Sequence, residues 1–103
     1  MRRFYRGDAK TEVDGYLIDE TQRKVSSPKM SDDVELTTKE FEMLMMFIHN
    51  RGTAFSREDI LNRIWGTDYF GSDRVVDDTL RRLRKKMPDL SIHTLYGFGY
   101  RLD

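Results

Sequence analysis

The stretch Asp73-Arg74-Val75-Val76-Asp77-Asp78-Thr79-Leu80-Arg81-Arg82-Leu83-Arg84-Lys85-Lys86-Met87 decides how this chain is read. Val76, Leu80, Leu83 and Met87 recur at i, i+4, i+7 and i+11, a narrow apolar stripe down one side of a helix. With that stripe near 0° and 100° per residue, Arg74, Asp78, Arg81 and Lys85 fall between about 140° and 200°, directly opposite. Val75 and Arg82 lie on the same outward side. The helix therefore has one buried face and one cationic face. Such a face suits a DNA major groove: guanidinium forks reach guanine edges or phosphates, and an apolar side chain meets a thymine methyl. A charged face on a lone amphipathic helix is more often simply solvated. Here Pro88 ends the helix, and Ile92 to Leu102 follows as a β-hairpin around Gly97-Phe98-Gly99. That pairing favours the nucleic-acid reading.

Two more helices precede it. Thr37-Thr38-Lys39-Glu40 has capping-box spacing, and Phe41, Leu44, Met45 and Ile48 follow as an apolar face, with Gly52 as the stop. Ser56 can cap a second helix whose apolar face is Ile60, Leu61, Ile64 and Trp65, closed by Gly66. Thr67 to Ser72 reads as a loop. Upstream, Tyr16-Leu17-Ile18, Arg23-Lys24-Val25 and Val34-Glu35-Leu36 are short strands between turn-rich segments, forming a small antiparallel sheet. Residues 1–12, with Arg2, Arg3 and Arg6 flanking Phe4 and Tyr5, read as a linker or tail, leaving one domain over 13–103. The order is sheet, three helices, hairpin: an α+β fold.

Composition agrees. The chain has 103 residues, 38% hydrophobic and 35% charged, with no cysteine, which excludes disulfides and thiolate chemistry. No apolar run approaches the ~20 residues of a membrane helix, and the amino terminus lacks a signal-peptide core, so a soluble cytoplasmic protein is expected. The net charge is zero, but its distribution is not even. Residues 74–103 hold seven bases against four acids, and six of those bases fall between Arg74 and Lys86. Fields beyond ~10 Å are screened, so an acidic front half does not cancel a basic helix elsewhere.

No catalytic set emerges. His49 and His93 share no ligand spacing, Ser56 is a helix cap rather than a nucleophile, and Gly97-x-Gly99 is a turn device. The expectation is a non-enzyme without metal or cofactor.

Asp73-Arg74-Val75-Val76-Asp77, Leu80-Arg81-Arg82-Leu83-Arg84-Lys85-Lys86 and Gly97-Phe98-Gly99-Tyr100-Arg101-Leu102 resemble the OmpR/PhoB family. So do Leu36 to Leu44, Phe55-Ser56-Arg57-Glu58 and Ile64-Trp65-Gly66, in order and over roughly residues 15–102. These are the DNA-binding output domains of bacterial two-component response regulators. The resemblance implies a winged helix-turn-helix with the third helix in the major groove and the hairpin wing at the minor groove. It implies sequence-specific binding of double-stranded DNA, at direct-repeat half-sites, in transcription regulation. By position it places Arg74, Val75, Asp78, Thr79, Arg81, Arg82 and Lys85 on or beside the DNA face. Arg57, Trp65 and Tyr100 match phosphate-contacting positions, and Thr94, Tyr96 and Gly97 belong to the wing. Thr67, Asp68, Tyr69, Phe70, Gly71 and Ser72 form the loop expected to face RNA polymerase.

Two positions depart from the family pattern. Tyr96 stands where relatives often carry a wing arginine, and Asp78 puts a carboxylate in the cationic row, where Arg81 or Arg82 can pair it. Nothing resembles a receiver domain, so an excised or stand-alone output domain is expected, monomeric or weakly dimeric. The competing reading is a winged-helix protein-interaction module that uses the acidic sheet face.

Overall fold

Asp14-Gly15, a two-residue turn with both φ values positive (52° and 89°), joins the first two strands of the chain. This is the turn that matches strand twist, and Asp-Gly is a favoured sequence for it. The computed structural model describes residues 10–29 and 31–103. Most of the expected lead-in, including Arg2, Arg3, Phe4, Tyr5 and Arg6, lies outside the described residues. Its described part is no linker: β1 (Lys10–Val13) begins there.

The described residues up to Glu35 form one compact unit, which holds the antiparallel meander β1-β2-β3. β2 spans Tyr16–Asp19 and β3 spans Lys24–Ser26. Cross-strand partners Val13↔Tyr16 and Ile18↔Val25 share one face, and all four are buried. Leu17 points to the other face and is exposed. The strand expected at 34–36 shrinks to a single bridge, in which the Val34 N–H donates to the Val25 carbonyl at 2.8 Å.

Residues 36–103 form the second unit. It contains α1 (Thr38–His49), β4 (Ala54–Ser56), α2 (Arg57–Ile64), α3 (Arg74–Lys86), β5 (Ile92–Leu95) and β6 (Gly99–Leu102). The three helices pack on one another, and β4-β6-β5 form a second antiparallel sheet. The expected α+β order of small sheet, three helices and hairpin is what the chain adopts.

The capping box at α1 is present. Thr37 Oγ1 accepts from the Glu40 N–H at 3.2 Å, and the Glu40 carboxylate accepts from the Thr37 N–H at 3.0 Å. The apolar face of α1 differs from expectation. Phe41 and Leu44 are buried, but Met43, Met46 and Phe47 join them while Met45 and Ile48 stay half-buried. The run Met43 to Ile48 is apolar all round, so periodicity cannot choose its face; packing does. Phe47 meets Phe55 of β4 edge-on, ring centres 6.0 Å apart.

β4 was not visible in the sequence, because three residues carry too little alternation. It pairs with β6 through Phe55↔Tyr100 and Ser56↔Gly99. Gly99 is required at this crossing, since a Cβ there would collide with the Phe55 carbonyl.

The stripe of α3 is buried throughout: Val76, Leu80, Leu83 and Met87 are each 2% exposed or less. Flanking it, Lys86 Nζ donates to Glu40 Oε1 at 2.6 Å, joining the end of α3 to the start of α1. Burial alone pushes the Glu40 carboxyl up. The hydrogen bonds from Lys86 and the Thr37 N–H, with the charges of Lys86 and Arg82, outweigh it and hold the pKa below the ordinary value. A depressed carboxylate adds stability above its unfolded pKa and loses it as pH falls through the folded one. Acid titration of the parent should therefore show a loss of stability below the ordinary carboxylate range. Glu40→Gln should flatten that limb while costing about 2 kcal/mol at neutral pH, the worth of a hydrogen bond to a charged group. Denaturant melts across the acid range check both.

Candidate nucleic-acid interface

The cations of α3 sort into two sets that only helix angle separates. Arg84 and Lys86 flank the buried stripe and are half-buried. Arg84 Nη2 donates to the Ile92 carbonyl at 2.7 Å, and its guanidinium lies 5.5 Å from the centre of the Tyr100 ring. Arg74, Arg81, Arg82 and Lys85 are exposed, as is Asp78, with half-buried Val75 beside them. This is the row expected. Asp78 pairs with Arg81 at 3.7 Å, a loose exposed contact. Arg82 makes its field felt at Glu40 instead.

Thr79 does not belong to the row. It is 4% exposed, and its helix angle puts it about 60° from the stripe, on the core side. The resemblance set it on or beside the DNA face; the structure buries its side chain next to the exposed row.

The hairpin β5–β6 closes through Tyr96-Gly97-Phe98, with Leu95 opposite Gly99. Gly97 takes φ +78°, a left-handed conformation that glycine adopts without strain, and the Phe98 N–H donates to the Leu95 carbonyl at 2.9 Å. Tyr96 is 94% exposed at the tip. Between the hairpin, the start of α2 and α3 lies an open groove of about 560 Å³. Arg57, Thr94, Tyr96, Gly97 and Tyr100 all line it, so five of the expected residues converge there.

Asp77 lines the same groove, and the sequence reading gave it no role. Its Oδ2 accepts from Arg57 Nη2 at 2.6 Å and its Oδ1 from the Tyr100 hydroxyl at 2.6 Å. Asp73 adds a weaker contact to Arg57 at 3.5 Å. Burial first, then the Asp77 hydrogen bond and charge, push the Tyr100 phenol up to about 12. The hydroxyl is thus held as a donor to Asp77. The available signal was an acidic residue in the first turn of a mostly basic helix, but its partners are 20 and 23 positions away.

Trp65 stands apart from this groove, at the opposite end of α2. It is half-buried, with Lys39 Nζ 5.9 Å from its ring centre and the Tyr69 ring 6.3 Å away. The segment Thr67 to Ser72 is a loop, as expected, and Phe70 in it is 97% exposed. His93 Nε2 contacts Asp103 at 2.8 Å. No described helix is long and apolar enough to cross a membrane.

Residues 31–102 match the family described as "Transcriptional regulatory protein, C terminal". The chain is 53% identical over 90 residues to the transcriptional regulatory protein CssR of Bacillus subtilis, covering 87% of this chain and 40% of that protein. It spans about two fifths of the length of the curated relatives it matches first. The crystal structure of the CssR DNA-binding domain superposes with a TM-score of 0.81, covering 85% of this chain and 99% of that one. The Klebsiella pneumoniae RstA DNA-binding domain, solved in complex with the RstA box, gives 0.75 at 31% identity, covering 90% and 95%. DrrB, an OmpR/PhoB homologue of Thermotoga maritima, gives 0.77 at 29% identity, covering 91% of this chain and 44% of that one. With a family match over residues 31–102 and a relative 53% identical over 87% of its length, the chain belongs to the carboxy-terminal domains of transcriptional regulatory proteins, the OmpR/PhoB-type winged helices.

Proposed function

We propose that this chain binds double-stranded DNA sequence-specifically, as the non-enzymatic output domain of a cytoplasmic two-component transcription regulator. The DNA-binding part in this reading is residues 13–103. α3 enters the major groove and the wing lies at the minor groove. The observation that carries this is the outward face of α3, where Arg74, Arg81, Arg82 and Lys85 stand exposed beside Val75. Arg81 and Arg82 can read guanine edges or clamp phosphates, Val75 can meet a thymine methyl, and Asp78 orients Arg81 or accepts from a cytosine amino group. Arg57 and Tyr100 in the groove, and Trp65 beyond it, serve the backbone. The DNA-bound RstA relative supports the same use of this fold.

Pairing on direct-repeat half-sites falls to a receiver domain of the kind the longer relatives have room for; by itself this chain is a monomer or weak dimer. The loop Thr67 to Ser72, with Phe70 outermost, faces RNA polymerase. Selection from random duplexes tests the reading: a recovered consensus bound at least tenfold better than its scramble supports it, and no enrichment rejects it.

The wing yields a separate expectation. Tyr96 brings no charge to the tip, so Tyr96→Arg should tighten binding and steepen the log–log salt slope by roughly one unit. Titrations at several salt concentrations read this directly. An unchanged slope means the tip does not reach DNA.

A further inference from the structure

We propose that Asp77 is a positioning residue, whose carboxylate fixes the wing and the start of α2 in register with α3 so that helix and hairpin engage one duplex together. The inference rests on the DNA-binding reading above.

Asp77 spends both carboxylate oxygens on other elements: Oδ2 on Arg57, the first residue of α2, and Oδ1 on Tyr100 of β6. Tyr100 is paired with Thr94 on one side and Phe55 on the other, so it is the middle strand of the second sheet that is held. Arg84, two turns further along α3, grips the wing at the Ile92 carbonyl and lies against the same Tyr100 ring. Without Asp77, the hairpin would keep its pairing with β4 and its Arg84 contacts but lose the hydrogen-bonded tie between its middle strand and the first turn of α3, which sets its tilt toward the duplex.

The energetics favour orientation over bulk stability. The Arg57 and Asp77 side chains are 41% and 38% exposed, and ion pairs that accessible add little to folding. They do fix geometry, because charge-assisted bonds of 2.6 Å are short and directional. The raised Tyr100 pKa fits the same arrangement, since a phenol facing a carboxylate resists ionisation.

The test uses this chain on a duplex from the selection, with hydroxyl-radical cleavage reporting the minor groove and guanine N7 methylation reporting the major groove. Asp77→Ala should weaken binding roughly tenfold, abolish hairpin protection of the minor groove and keep methylation protection under α3. Tyr100→Phe, which removes one hydroxyl and leaves the ring, should reproduce the minor-groove change. The double variant should bind no worse than Asp77→Ala, and the phenol titration of Asp77→Ala should show one tyrosine returning toward its ordinary range. Unchanged hairpin protection in Asp77→Ala, or losses that simply add in the double variant, would overturn the proposal. So would parallel loss of both protections with loss of helical circular dichroism, since that marks a folding defect. A parent chain that protects no DNA would remove the binding reading and this inference with it.

Discussion

Leu83→Ala will unfold about 2–5 kcal/mol more readily than the parent, the usual range for emptying a packed core site. Leu83 is fully buried in the middle of the α3 stripe, with Leu80 and Met87 a turn to either side, and α3 packs on both α1 and α2. Truncation removes three carbons and leaves a cavity that a helix pinned at Glu40 by Lys86 and at Ile92 by Arg84 cannot easily close. A domain of this length has only about 5–15 kcal/mol to lose, so the change takes a large share. Urea melts should show a lower midpoint at unchanged slope. A shift below about 1 kcal/mol would mean the stripe is not the core contact described.

Arg81→Ala and Arg82→Ala have their effect on the other side of the same helix. Each should weaken binding to the selected duplex by about 1–3 kcal/mol if the guanidinium reads a base edge, with little change in the urea midpoint. The Arg81 side chain is 70% exposed and pairs loosely with Asp78, itself 53% exposed, so its truncation should leave the fold intact. Arg82 carries one further consequence. Its charge is among those that hold the Glu40 pKa down, so Arg82→Ala should weaken that hold slightly as well as weaken binding. Fluorescence anisotropy at one fixed salt concentration separates affinity from stability. Parent-like affinity in both variants would refute the recognition-helix assignment.

These predictions can be written down because the decisive helix was legible. Four apolar residues at helical spacing fixed the buried side of α3, and subtraction gave the outward cations. The capping box at Thr37 and the Ser56 cap were equally readable, because they are local hydrogen-bond patterns. β1 carried a readable signal too, Asp14-Gly15, but the strand before it has a single large apolar residue, Val13. β4 carried none; three residues become a strand only because β6 lies beside them. The resemblance set Thr79 on or beside the DNA face, and the 100° geometry of the helix turns its side chain toward the core. Asp77 shows the limit most clearly. It sits one residue from the stripe, and its role comes from Arg57 and Tyr100, whose approach is tertiary and leaves no trace in spacing.

The salt dependence of binding between this chain and its selected duplex tests the central claim most directly. Each phosphate neutralised contributes about 0.9 to the log–log slope, so the exposed α3 cations with Arg57 predict a slope of about −3 or steeper, reduced by roughly one in Arg82→Ala if that side chain clamps a phosphate. A flat slope, or no binding at low salt, would contradict the account and leave a winged helix that meets proteins instead.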